Sequence, residues 1–74
     1  MIKIHLSGIL AEKQMSQAEL ARQTGIRPST VSAIYNEIAE RLNINHLDSI
    51  CLYLGCDIVD LIEYIPDNHK KRKI

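Results

Sequence analysis

Residues 16–36, SQAELARQTGIRPSTVSAIYN, hold two short helical patterns on either side of one glycine, and few arrangements of a chain satisfy all their demands together. Ser16 and Glu19 make a Ser-x-x-Glu pattern, the capping box in which two side chains satisfy amides that a helix start leaves unpaired. A helix is predicted from about Gln17. Ala18, Leu20 and Ala21 supply its inner face, and Ala21 is small enough for a second helix to cross close to the backbone. Four residues on, Gly25 marks where the helix must stop and the chain pass through a left-handed conformation that costs other residues about 1–2 kcal/mol. Ile26 is then expected in the core. Pro28 lacks an amide hydrogen and has a fixed φ, which suits the first position of a helix and no later one. The second helix is predicted to begin there, with Val31, Ile34 and Ile38 facing inward at helical spacing. Ser29, Thr30, Ser32, Ala33 and Asn36 remain outside, a short and polar face.

Two helices joined by a glycine turn, the second with small polar residues outward, are the parts of a helix-turn-helix, whose second helix lies in the major groove of double-stranded DNA. DNA is therefore the expected partner. Ser29 and Ser32 carry hydroxyls that can donate to or accept from base edges, Ala33 suits a thymine methyl, and Thr30 and Arg27 suit a base or a phosphate. Gln17, at a helix start, is placed to bind a phosphate with amide and side chain together. Arg22, Lys13 and Asn36 are further phosphate candidates, each weighed against the plain reading of a solvated helix surface.

The spacing Leu20-Ala21, Gly25-Ile26, Val31 and Ile34 resembles the helix-turn-helix of the Cro/cI-type (XRE-like) bacterial and phage regulators. Downstream, LDSICLYLGCD at 47–57 and DLIEYIP at 60–66 are similar to the last two helices of a small, single-domain branch of that family. The resemblance implies an all-α fold, a compact five-helix lambda-repressor-like domain over residues 1–67, with the motif at helices 2 and 3. Family regulators often carry an amide side chain at the positions of Pro28 and Ser29. Its absence implies less bidentate reading of adenine and more reliance on DNA shape. The family often closes the recognition helix with Asn-Gly, where this chain has Asn36-Glu37.

A chain of 74 residues makes one domain, near the lower limit for folding without a staple, burying roughly 60% of the surface its unfolded form exposes. A cofactor cleft does not fit in addition, and no cofactor is expected. With 46% hydrophobic residues but no Trp or Phe, the core must be built from Leu, Ile, Val, Ala and three tyrosines. No apolar run approaches the roughly 18–20 residues of a membrane span, and the first residues do not lead into a signal-peptide core. A cytoplasmic chain without a membrane partner is expected. Cys51 is placed with Leu47, Ile50 and Leu54 on the inward stripe of a helix capped by Asn45 and ended by Gly55; Cys56 lies just beyond. Both are read as free thiols, a common state for buried cysteine. Adding His46 gives three ligands at a spacing that matches no usual zinc site, so no metal is expected. No Ser-His-Asp order, paired carboxylates or phosphate-cradling glycine loop is visible, which argues against an enzyme.

The net charge is zero, but it is polarised. Residues 1–36 carry four cations and two anions, net +2; residues 37–67 carry Arg41 against seven acids, net −6; Lys70, Lys71, Arg72 and Lys73 add +4. A basic motif end can face phosphates while the acidic half faces away. Ile2, Leu6, Ile9 and Leu10 predict helix one over 2–13, with His5 a structural histidine within it and Met15 closing the connection to the motif. Residues 37–45 have weak periodicity and read as a loop. Asn45 with Asp48, and Asp57 with Asp60, mark the starts of helices four and five, the latter ended by Pro66. Helix five, with Ile58, Leu61, Ile62 and Ile65, has more apolar residues than one buried face needs. The surplus suits a homodimer holding two recognition helices roughly 34 Å apart. Residues 68–74 are expected to be a flexible basic tail whose Lys70, Lys71 and Arg72 follow the phosphate backbone. The second reading is a protein-interaction module on the same fold, such as an antitoxin or anti-regulator, whose acidic half binds a basic protein partner.

Overall fold

A computed structural model describes residues 1–66, as β1 (Ile2–Ile4), α1 (Leu6–Glu12), α2 (Gln17–Thr24), α3 (Pro28–Tyr35), α4 (Ile44–Leu54), α5 (Ile58–Leu61) and β2 (Ile62–Tyr64). The five expected helices are present, in the expected order. The all-α expectation is corrected by the two strands, which pair antiparallel with Ile2 opposite Tyr64, Lys3 opposite Glu63 and Ile4 opposite Ile62. Helix one was expected from Ile2, but residues 2–4 alternate outward and inward, with Ile2 exposed and Ile4 buried, and two β-branched residues around Lys3 favour the extended form. The helical pattern starts only at Leu6.

Helix five is shortened for the complementary reason. Its start is as expected, with the Asp57 amide donating to Asp60 Oδ2 at 3.1 Å. After one turn Leu61 is fully buried, its carbonyl accepts the His5 amide at 2.7 Å, and Ile62 turns into the strand. Backbone bonds between Met1 and Ile65 extend the pairing, Ile65 N–H to Met1 O at 2.8 Å and the Met1 amino group to Ile65 O at 2.6 Å. His5 sits half-buried beside this ladder with Nε2 2.7 Å from Glu63 Oε1, the structural role expected of it.

Every element except β2 contributes to one core, of Ile4, Leu6, Leu10, Leu20, Ala21, Ile26, Val31, Ile34, Ile50, Leu54 and Leu61. Tyr35, Met15, Leu47, Ile62 and both cysteines pack against it, partly buried. Two residues assigned to inner faces lie outside. Ala18 is exposed, because α2 needs only Leu20 and Ala21 to reach α3 and α4, and Ile38 is 70% exposed because α3 has already ended. The cap of α4 is Asn43 rather than Asn45: its Oδ1 accepts the amides of Asn45 at 2.7 Å and His46 at 3.4 Å. Among the described residues no helix is long and apolar enough to cross a membrane.

Helix ends follow a shared plan. At α1, α3 and α4 one residue takes a positive φ, namely Gln14 (53°), Glu37 (59°) and Gly55 (68°). The amide after it then donates back five residues: Met15 to Leu10 at 2.9 Å, Ile38 to Ala33 at 3.0 Å and Cys56 to Cys51 at 3.1 Å. Gly25 closes α2 at φ 76°, its amide bonded to Ala21 O at 2.9 Å.

A Cβ at Gly8, Gly25 or Gly55 would meet no atom within 4 Å, so substitutions there report backbone conformation alone. Gly25→Ala and Gly55→Ala are each expected to destabilise by about 1–2 kcal/mol in urea unfolding, because φ is positive. Gly8→Ala, inside α1, is expected to stabilise by about 0.5–1 kcal/mol.

Candidate nucleic-acid interface

The motif is assembled by α2, the Gly25 turn and α3. Ser16 caps α2, its Oγ accepting the Glu19 amide at 3.1 Å. The reciprocal half of the expected box is not made. The Glu19 carboxylate instead binds the Arg22 guanidinium one turn on, and accepts from Gln23 Nε2 at 3.3 Å. Arg22 is thus held along the outside of α2, with its charge partly balanced by Glu19. Gln17, half-buried, takes the first position of α2, where helix amides lack intrahelical partners and favour anions.

Thr24 closes the turn from within: its Oγ1 donates to Leu20 O at 2.7 Å and accepts the Ile26 amide at 3.3 Å. This satisfies the backbone just where the chain leaves the left-handed Gly25, so Ile26 enters the core. Arg27 follows as the extended residue before α3, and Pro28 occupies its first turn as expected. Val31 and Ile34 are buried at 0% and 2% exposure and fix the roll of α3 about its axis. Ser29 is therefore exposed, while Thr30, Ser32 and Ala33 are half-buried on the flanks of the outer face. Arg22, Arg27 and Pro28 line one open groove of about 410 Å³ with Ala18, Ala21, Gly25 and Ile26. In this way the fold brings the outer side of α2 and the start of α3 to a single concavity.

Asn36 is placed differently from its expected role as a phosphate ligand. Its Nδ2 donates to Ser32 O at 2.9 Å and to Ser32 Oγ at 3.2 Å, closing the last turn of α3. The Asn36 side-chain nitrogen is thus engaged within the helix, where Ser32 Oγ acts as an acceptor. Lys13 is exposed just beyond α1. Lys70, Lys71 and Arg72 lie outside the described residues.

Glu37, next to the motif, is the residue whose role sequence reasoning missed. It takes the left-handed conformation in which a glycine often closes such helices, and its carboxylate reaches the N-terminal strand. Oε1 accepts the Ile4 amide at 3.2 Å and Oε2 meets Lys3 Nζ at 3.4 Å. The end of α3 is thereby tied to β1, and through β1 to β2. No local pattern signals a contact to residues 33 and 34 positions away.

The Ile4 amide, followed by the Lys3 ammonium, holds the Glu37 carboxyl below its ordinary value of 4.5 against an opposing effect of burial. A carboxylate with a lowered folded value stabilises the fold above the unfolded value and loses that contribution as pH falls through the folded one. Stability is accordingly expected to decline on acidification below about pH 4.5. In Glu37→Gln the decline should be shallower, as read from urea midpoints across that range.

Comparison with known proteins places these features in a family. The Cro/C1-type HTH DNA-binding domain matches residues 5–67. The chain is also 33% identical over 66 residues, 89% of its own length and 79% of the relative's, to an uncharacterized HTH-type transcriptional regulator, YozG, of Bacillus subtilis (strain 168). With the match running from His5 through both motif helices and past β2, the chain belongs to the Cro/C1-type helix-turn-helix DNA-binding family.

Proposed function

We propose that this protein is a sequence-specific transcriptional regulator that lays α3 in the major groove of double-stranded DNA. The carrying observation is the two-sidedness of that helix. Val31 and Ile34 anchor it in the core, and the side left outward holds only short residues that let its backbone approach base edges. In this reading Ser29 and Ser32 address bases, Ala33 meets a thymine methyl, and Thr30 and Arg27 serve the flanking base or phosphate. Gln17 binds a phosphate at the start of α2, with Arg22, Lys13 and Arg27 around it. Arg22 must exchange or share Glu19 to do so, which moderates its contribution. The excess of cations in residues 1–36, against the acidic residues 37–67, orients the motif toward the phosphates.

Selection from a random DNA pool at two salt concentrations tests this reading. An enriched motif is expected, and Ser29→Ala and Ser32→Ala should each weaken binding to it by about 1–3 kcal/mol while leaving bulk DNA binding unchanged. Arg27→Ala should act on all sequences and reduce the salt slope by about 0.9. A folded protein that enriches no sequence at low salt would overturn the proposal.

The regulator is further proposed to act as a homodimer, which would set two α3 helices roughly 34 Å apart along the duplex. Of the residues first assigned to helix five, Leu61 is committed to the core, Ile62 to β2 and Ile65 to the pairing with Met1, which leaves Ile58, and Val59 lies exposed beside it. With Ile44, these are 47%, 73% and 79% exposed, an apolar area around the starts of α4 and α5. Val59→Glu is expected to shift sedimentation toward the monomer and lower affinity for a two-fold symmetric site at least about tenfold, while the circular dichroism spectrum is retained. A variant that still sediments as the native chain does would exclude this surface.

A further inference from the structure

The ends of α1, α3 and α4 share one hydrogen-bond plan, in which the amide of the residue after the left-handed one donates to the carbonyl five positions earlier. At α1 the pair is Leu10 and Met15, and at α3 it is Ala33 and Ile38. At α4 the same two positions are both cysteine. The Cys56 amide donates to Cys51 O at 3.1 Å, which brings the two cysteines together across one turn. Cysteines can be bridged without moving the backbone when their Cα atoms lie about 4.4–6.8 Å apart, and the backbone bond between Cys56 and Cys51 draws this pair toward that range. Neither thiol is sealed away. Both are partly exposed and line one open pocket of about 400 Å³ with Ile44, Leu47, Asp48, Asp57 and Ile58.

We propose that Cys51 and Cys56 are a redox-active dithiol, which a small-molecule disulfide converts to an intramolecular disulfide across the C-terminal turn of α4. Burial, then the Cys56 thiol, then Asp48 and Asp57 push the Cys51 thiol up, which disfavours its thiolate as the first attacker. With oxidised glutathione, the Cys56 thiolate attacks one sulfur, the glutathione S–S bond breaks, and one glutathione thiolate leaves. Cys51 then loses its proton to solvent and attacks the Cys56 sulfur of the mixed disulfide, expelling the second glutathione thiolate. Two electrons pass from the protein thiols to the glutathione disulfide, and the two protons released match those that the leaving thiolates take up.

The test incubates the full chain with graded ratios of oxidised to reduced glutathione, quenches with acid, alkylates with maleimide and measures intact mass and oligomer on a non-reducing gel. The expected product is a monomer lighter by two hydrogens, with both maleimide-reactive thiols lost. Cys51→Ser should instead accumulate the mixed disulfide on Cys56. Because that variant could perturb folding, the native chain is also titrated in concentrated urea. The folded chain should reach half-oxidation at a ratio at least about tenfold lower than the unfolded one, since the fold already holds the sulfurs together. The proposal is overturned if both thiols of the native chain stay alkylatable throughout, if the disulfide forms only between chains, or if folding gives no advantage over urea.

Discussion

None of the five helices can stand alone. The longest, α4, has eleven residues, and helices under roughly 12–15 residues are marginal in water because nucleation is costly. What holds them is their joint burial, with Leu6, Leu20, Val31, Ile50 and Leu61, one from each helix, at 0% exposure. Each helix must therefore stop and turn quickly enough to return its apolar face to one small centre. The repeated left-handed helix end does this, satisfying the last carbonyls while reversing the chain within two residues. The structure uses a glycine there at α2 and α4, and accepts the strain of Gln14 and Glu37 at α1 and α3.

Glu37 links this requirement to function. A glycine in its place would relieve the backbone but offer no carboxylate to the Ile4 amide and Lys3. The glutamate spends local strain on a connection between the end of α3 and the two-stranded sheet. The helix that is read here as the DNA-contacting one is thus positioned at both ends, by Gly25 and Pro28 at its start and by β1 at its finish. Asn36 completes the arrangement by drawing its amide into the last turn, so the polar groups left outward on α3 are chiefly the hydroxyls of its serines and threonine.

The acidic second half serves a different purpose. Its carboxylates lie away from the motif along the chain, and several have structural roles, Asp60 at the start of α5, Glu63 against His5 and Glu37 at the sheet. In a molecule with zero net charge, this separation of signs would, in the proposed function, let a weakly basic motif meet a polyanion while the remainder is repelled from it.

The helix-turn-helix was legible in the chain because its constraints are local. A serine cap, a left-handed glycine, a proline at a helix start and apolar residues three apart each state their conformation within a few residues, and all of them hold. The family resemblance rested on the same residues. The strands were not legible, since Ile2, Leu6, Ile9 and Leu10 fit a helical period, and only pairing with residues 62–64 makes extension of the first of them favourable. The same pairing cut helix five to one turn. The capping box at Ser16 was half right because Arg22 and Gln23 competed for Glu19, and the cap of α4 shifted from Asn45 to Asn43, whose side chain reaches two amides. Nor did composition signal that Glu37 would take the left-handed position that a glycine often fills. Sequence alone determined the conformations that near neighbours dictate through sterics and capping. Tertiary structure decided the sheet and the tether of α3, because each depends on groups brought together only once the core has closed.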